Sequence, residues 1–348
     1  MTDCNLVATE EDLTLCVNFR LTTHSLTANT ATMRTIEIIK CHGSGNDFVM
    51  VDATREQLDG IDLGDFARRV CDRERGIGSD GILLLVRHDD RVYGMDMLNP
   101  DGTHAEMCGN GIRCVARLAF ERGYAINGIL RSGGRDYNVR RATDIFEGIA
   151  TFSVDIPIRT HSNDFAFFGE KERFVGRVIE ALHPDLRFTA LNLGNPHIVA
   201  AVESIDLTLL EALGNKVKDE ATCRQLFPHG VNLSLYERRS ERSIFVATFE
   251  RGAGITLSCG TAMTASSTAA ALLNLVEAGS HIEVCNRGGM VYCTTTLSPS
   301  LTTRLEGNAT FDWWGELDVD NGYNYRITRS TNEDAAWQRF VDSINNRK

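Results

Sequence analysis

No stretch of this 348-residue sequence holds the roughly 20 consecutive apolar residues that a membrane-spanning helix needs; runs such as Ile82 to Val86 fall far short. Basic runs of five or more residues are also missing. The net charge is −11, from 36 Lys+Arg against 47 Asp+Glu. Such an acidic chain repels phosphate backbones and gains nothing from anionic lipid, so neither a nucleic-acid partner nor a membrane surface is expected. Ten cysteines are present but no CxxC pair, which leaves a zinc ribbon or a thioredoxin-like site without support, and no metal centre is expected. They are too dispersed for a small disulfide scaffold and read mostly as small buried apolar residues, Cys108 and Cys259 excepted. The first residues carry Asp3, Glu10, Glu11 and Asp12. Neither a secretory signal nor a mitochondrial presequence is built that way, so the cytoplasm is the expected compartment.

What is present is ordinary for a folded protein: 43% hydrophobic and 24% charged residues, enough apolar material for a packed core. At about 100–200 residues per domain, the length predicts two domains. Residues 1–34 are polar and weakly patterned and read as an extension. Strands are predicted at Ile36 to Lys40, Phe48 to Val51 and Gly81 to Val86, and a helix over Leu63 to Asp72 with Leu63, Phe66, Ala67 and Val70 on one face. A further helix follows Gly111, with Ile112, Val115, Ala116 and Ala119 on its apolar stripe and Arg113 and Arg117 off it. The second half repeats the plan. Ile198 to Val202 and Ser243 to Phe249 read as strands. Ala262 to Leu275 reads as a helix of small residues suited to complete burial inside a sheet.

The repetition is also one of spacing. Asn46, after a glycine, precedes Cys108 by 62 residues, and Asn195, after a glycine, precedes Cys259 by 64. An internal duplication of about 150 residues fits this. The expected fold is therefore α/β (α+β) with two pseudo-symmetric domains, each a sheet wrapped around a central helix whose N-terminus carries a cysteine. The boundaries are placed at 35–150 and 151–304, with the break near Thr143 to Asp164. A C-terminal segment, 305–348, ends in a packing helix. Ser330 and Glu333 have capping-box spacing at its start, and Trp337, Phe340, Val341 and Ile344 form its stripe.

Two constellations carry chemistry. In Cys108-Gly109-Asn110-Gly111-Ile112-Arg113-Cys114, glycines let a ligand approach the backbone, and the helix that follows aims free N–H groups and the positive end of its dipole at the same place. Such a position favours a thiolate and binds a carboxylate. Glu250-Arg251-Gly252-Ala253-Gly254-Ile255-Thr256-Leu257-Ser258-Cys259-Gly260-Thr261 repeats the device. Inverting a carbon centre requires a proton taken from one face and another delivered to the opposite face. A thiolate and a thiol facing each other do both and exchange roles for the mirror substrate. No lysine motif for pyridoxal phosphate is apparent, and no cofactor is expected. Backbone N–H groups at two helix starts would stabilise the carbanion through the α-carboxylate.

With Gly45-Asn46-Asp47-Phe48 and Gly194-Asn195-Pro196-His197 also in order, the sequence resembles the diaminopimelate epimerase family from about Met33 to about Gly315. The resemblance implies an active site between two domains, a small amino-acid substrate, and a homodimer. It places Cys108 and Cys259 as the two proton-transfer groups and Asn46 near the reacting centre. The backbones of Gly109, Asn110, Gly260 and Thr261 would hold the α-carboxylate. Asn99, Asn195, Asn232 and Arg251 would hold the distal amino-carboxylate, a role for which a guanidinium fork and amide side chains are suited. Glu250 and His197 would assist beside the site. The alternatives are the same chemistry on another amino acid such as histidine, and a non-catalytic or thiol-redox protein on the same fold.

Overall fold

The computed structural model describes residues 34–345 apart from 90–91, 106, 125–126, 161–163, 167–172, 220 and 222–224. The expected extension, residues 1–34, therefore lies outside the described residues except for Arg34. The first half comprises β1 (Thr35–Gly43), β2 (Asn46–Asp52), α1 (Leu63–Val70), β3 (Ile82–Arg87), β4 (Tyr93–Leu98), β5 (His104–Ala105), α2 (Gly109–Glu121), β6 (Ile129–Ser132), β7 (Arg135–Arg141) and β8 (Thr151–Pro157). The second comprises β9 (Arg177–Ile179), β10 (His183–Asn192), β11 (Pro196–Val202), α3 (Leu207–Lys218), β12 (Asn232–Ser240), β13 (Ser243–Glu250), β14 (Gly254–Thr256), α4 (Gly260–Leu272), β15 (Ile282–Asn286), β16 (Gly289–Thr296) and β17 (Thr302–Asn308). The chain then adds β18 (Thr310–Asp318), β19 (Tyr325–Ser330) and α5 (Glu333–Asn345).

The duplication read from spacing is written in the strand pairing. β1/β2 is antiparallel, β2/β3 parallel, β3/β4 antiparallel, β4/β6 parallel and β6/β7 antiparallel. β10/β11, β11/β12, β12/β13, β13/β15 and β15/β16 repeat that order. The copies meet where β8 pairs antiparallel with β17, Val154 opposite Leu305. β9 borders β10, and its counterpart at β1 is β18, which returns from the far end of the chain. Part of what the sequence presents as a C-terminal segment is thus an integral strand of the first half's sheet.

Each sheet wraps one helix. α4 buries residues all round, as its small side chains predict. Two of its buried hydroxyls are satisfied by the helix itself: Thr264 Oγ1 donates to Gly260 O and Thr268 Oγ1 to Thr264 O, both at 2.8 Å. The helix starts two residues earlier than the sequence suggests because Cys259 itself is the N-cap, and it ends before Asn274, which turns to a φ of 54°. In α2 the apolar stripe is buried as expected, but Arg113 and Arg117 are buried too. Arg117 forks onto Glu333 of α5 at 2.5 and 2.7 Å, so the last helix is pinned to the first half's central helix. The expected cap at Ser330 is not formed. Ser330 ends β19, and Thr331 Oγ1 accepts from the Glu333 N–H at 3.2 Å instead. Glu333 is committed to Arg117 and leaves the capping box.

A polar pair, His42 buried and Asp312 partly buried, adjoins the β1–β2 turn. His42 Nδ1 accepts from the Asn308 amide at 3.2 Å and the Gly45 N–H at 3.4 Å, so its Nε2 faces Asp312 Oδ1 at 3.9 Å. Burial pulls His42 down to about 4; burial and the neighbouring Asp334 push Asp312 up to about 7. A carboxyl raised on folding binds a proton as the chain folds, so its destabilising effect grows from about pH 4 and is complete above about pH 7. Asp312→Asn is expected to exceed wild type by about 2 kcal/mol at pH 8, half of the ~4 kcal/mol implied by the shift once partial exposure is discounted. The gain should vanish below about pH 4. Urea unfolding at both pH values measures it, and a gain independent of pH would contradict the assignment.

Candidate active site

The two cysteines occupy equivalent places. Cys108 caps α2 with φ −134° and ψ 113°, and Cys259 caps α4 with φ −131° and ψ 108°. Both hold extended backbone just before a helix, where an N-cap side chain meets the unpaired N–H groups. Cys108 Sγ accepts from the Gly111 N–H at 3.4 Å and donates to Asn46 Oδ1 at 3.7 Å. Asn46 opens β2 opposite Gly43. It is held by Asp80, which accepts from its Nδ2 at 2.7 Å, and by Asn110, whose Nδ2 donates to its Oδ1 at 3.2 Å.

On the other side Cys259 Sγ lies 3.4 Å from Thr261 Oγ1. That hydroxyl also accepts from the Asn195 amide at 3.4 Å and contacts His197 Nε2 at 3.1 Å, while His197 Nε2 lies 3.0 Å from Asn195 Oδ1. The parallel register of β11 and β12 sets Asn232 beside His197. Asn232 Oδ1 accepts the Arg251 N–H at 3.1 Å, and Arg251 Nη1 donates to His229 O at 2.8 Å. Glu250 Oε1 accepts from Thr256 Oγ1 at 2.6 Å, and the carboxyl adjoins Cys259.

The two helix starts converge. A Cβ placed on Gly260 would sit 2.7 Å from Asn110 Oδ1, an acceptor that is buried and otherwise without a partner. Asn110, bonded to the Asn46 that also meets Cys108, is therefore brought against Gly260, with Thr261, Cys259, Asn195, His197, Glu250, Asn232 and Arg251 forming a chain of contacts behind it. Asn99 stands apart from these bonds; its amide donates to Thr103 Oγ1 at 3.0 Å within its own turn.

Burial dominates the electrostatics. It pushes the Cys108 thiol up to about 11, against the lowering influence of the Gly111 and Asn110 N–H groups and Arg113. Burial together with the Glu250 charge pushes Cys259 well up, and burial raises Glu250. Burial and Arg251 pull His197 down to about 3, so its ring is neutral at physiological pH. His197 thus bonds as a neutral imidazole between Thr261 and Asn195.

Sequence reasoning missed four contributors. Thr256 and Arg113 lie inside the motifs but carried no assigned role. Ser44 and Asn308, which hold the turn and the helix together, show no local signal (Ser44 N–H donates to Asn308 Oδ1 at 2.7 Å). A cleft of about 620 Å³ opens away from these residues, lined among others by Arg140, Arg141, His281 and Arg304. Its basic side chains already have partners: Arg140 and Arg304 pair with Asp155, Arg141 with Asp144, and His281 Nε2 lies 2.8 Å from Glu306.

The duplicated sheet-around-helix fold, read with the family match and the relatives below, places the chain among the isomerases, in the amino-acid epimerase class. The chain belongs to the diaminopimelate epimerase family, whose model matches residues 38–144 and 189–310. It is 34% identical to the diaminopimelate epimerase of Clostridium acetobutylicum over 89% of this chain and 93% of that protein. With the diaminopimelate epimerase of Listeria innocua it shares 34% identity over 90% of this chain and 98% of that one. The fold is that of a hydroxyproline epimerase from Agrobacterium vitis, with TM-score 0.56 and 15% identity over 83% of this chain and 94% of that one.

Proposed function

We propose that this chain interconverts LL- and meso-diaminopimelate by two-base proton transfer at one α-carbon, without a cofactor, in lysine and cell-wall precursor synthesis. The observation that carries this reading is the meeting of two cysteine-capped helix starts at Asn110 and Gly260. The α-carboxylate sits between the helix starts and takes the N–H groups of Gly109, Asn110, Gly260 and Thr261. One cysteine, as thiolate, takes the α-proton; the other, as thiol, gives its S–H proton to the opposite face and becomes the thiolate. Charge is conserved and the enzyme is left ready for the reverse reaction.

The developing carbanion is stabilised through the carboxylate by these preorganised donors. Asn195, Asn232 and Arg251, with Asn99 reaching from the first half, hold the distal amino-carboxylate and select the substrate. His197 positions Thr261 and Asn195, and Glu250 keeps Cys259 protonated until it is needed. We place the two catalytic domains at 35–150, completed by the returning strand β18, and 151–304, and infer a cytoplasmic homodimer. Among the described residues no helix is long and apolar enough to cross a membrane.

Incubation with LL-diaminopimelate in deuterated buffer under reducing conditions tests the function. Deuterium at the α-carbon together with the meso isomer is expected. Exchange with histidine but not with diaminopimelate would move the substrate and keep the chemistry. The absence of exchange with any amino acid would overturn the epimerase reading.

A further inference from the structure

Arg113 heads the large side chains that are wholly enclosed among the described residues. From α2 its guanidinium folds back toward the helix start, where Nη1 donates to Gly109 O at 2.9 Å. Nε donates to Asn308 O at 3.1 Å and Nη2 to Ser44 Oγ at 3.3 Å. The space is built for it: a Cβ on Gly43 would lie 2.9 Å from Nη2, and one on Gly307 would lie 3.0 Å from it. Its hydrogen-bond acceptors are all uncharged, and no salt bridge to a carboxylate forms on it among the described residues.

A buried cation without a counter-charge is strongly destabilising, and an arginine does not escape by losing its proton. The groups around this one that can become anions are thiols: Cys114 on α2 itself, Cys108 at the start of α2, and Cys293 on β16. His42 on β1 also feels the guanidinium and is held neutral by burial. Cys114 and Cys293 are fully buried in the core, and only Cys108 of the three is partly open to the site. The other half has the opposite sign, with the Glu250 carboxyl beside Cys259 and opposing ionisation of that thiol.

We propose that Arg113 is a positioning residue that acts through Cys108 as the fixed counter-cation of its thiolate. When the Cys108 S–H proton leaves to solvent, the uncompensated guanidinium gains its partner. Through Ser44 and Gly109 the same side chain holds the β1–β2 turn and the helix start in the arrangement that brings Asn46 to the sulfur. The sign difference between the halves makes Cys108 the more readily ionised of the two thiols in the substrate-free protein. The role in turnover rests on the epimerase reading, but ionisation of Cys108 can be read with no substrate present.

The test is the pH dependence of iodoacetamide alkylation, followed separately at Cys108 and Cys259 by peptide mass spectrometry, in wild type, Arg113→Gln and Arg113→Lys. Arg113→Gln is expected to alkylate at Cys108 about tenfold more slowly at neutral pH, equivalent to about one pH unit in its profile. Its Cys259 profile should be unchanged, and Arg113→Lys, which keeps the charge and loses the fork, should stay within about threefold of wild type at Cys108. An unchanged Cys108 profile in Arg113→Gln would overturn the proposal. So would an equal change at both cysteines, which would mean a general loosening. Should Arg113→Gln not fold, Arg113→Lys decides alone: retention of the wild-type profile supports the counter-cation, and a tenfold loss overturns it. Each outcome is independent of whether diaminopimelate is the substrate.

Discussion

Cys108→Ala and Cys259→Ala are each expected to lose about 10³-fold or more in kcat for epimerisation, the scale on which a positioned proton-transfer group contributes. The reason is geometric. Each sulfur caps a different helix, and the helices meet at one point, so neither thiol can reach the face served by the other. Because both are needed for one inversion, the double variant should be scarcely slower than either single one. A single variant keeps one group able to remove and return a proton on its own face. Each is therefore expected to retain slow α-deuterium exchange into one stereoisomer without inversion, and the two variants should favour opposite isomers. Chiral separation of the products with mass analysis measures both quantities. Inversion at wild-type rate in either variant would remove that cysteine from the mechanism. The fold should survive, since a cap whose side chain makes one long bond or none contributes little: the Gly111 N–H meets Cys108 at 3.4 Å, and Cys259 makes no side-chain cap bond.

The parts of this arrangement that obey local rules were legible in the sequence. Cysteine followed by glycine at the start of an apolar or small-residue run marks a helix start, and both helices begin there. The near-equal spacings from Asn46 to Cys108 and from Asn195 to Cys259 expose the duplication, which the strand order repeats. The illegible parts depend on contacts between distant segments. A charged side chain off the apolar stripe reads as solvent-facing, yet Arg113 is buried because Asn308 and Ser44 arrive from elsewhere to receive it. Arg117 finds its carboxylate at Glu333, 216 residues away, and Glu333 thereby leaves the capping box that its spacing suggests. The return of β18 to β1 is likewise a choice among sheet edges that no local pattern encodes.

Gly260→Ala is expected to lower kcat/KM by about 10²-fold, the cost associated with roughly 1 Å of misplacement at a reacting site, while changing stability by no more than about 1 kcal/mol. Alanine is the better helix former, and Gly260 has no positive φ, so the backbone itself accepts the change. The obstacle is Asn110, whose Oδ1 would lie 2.7 Å from the new Cβ. That side chain has little room to retreat. Its Nδ2 is bonded to Asn46 at 3.2 Å, and its own Cβ is packed against Gly43, where an added Cβ would lie 2.9 Å away. The strain is therefore relieved by parting the two helix starts or by turning Asn110 off Asn46. Either movement shifts Cys108 against Cys259 and misplaces the N–H groups meant for the carboxylate. Activity should fall far more than stability, which separates this variant from a core substitution, where both fall together. Paired urea unfolding and steady-state kinetics give the comparison. Near-normal activity would mean that the convergence of α2 and α4 is looser than the site requires, and the carboxylate would then have to be held from one helix start alone.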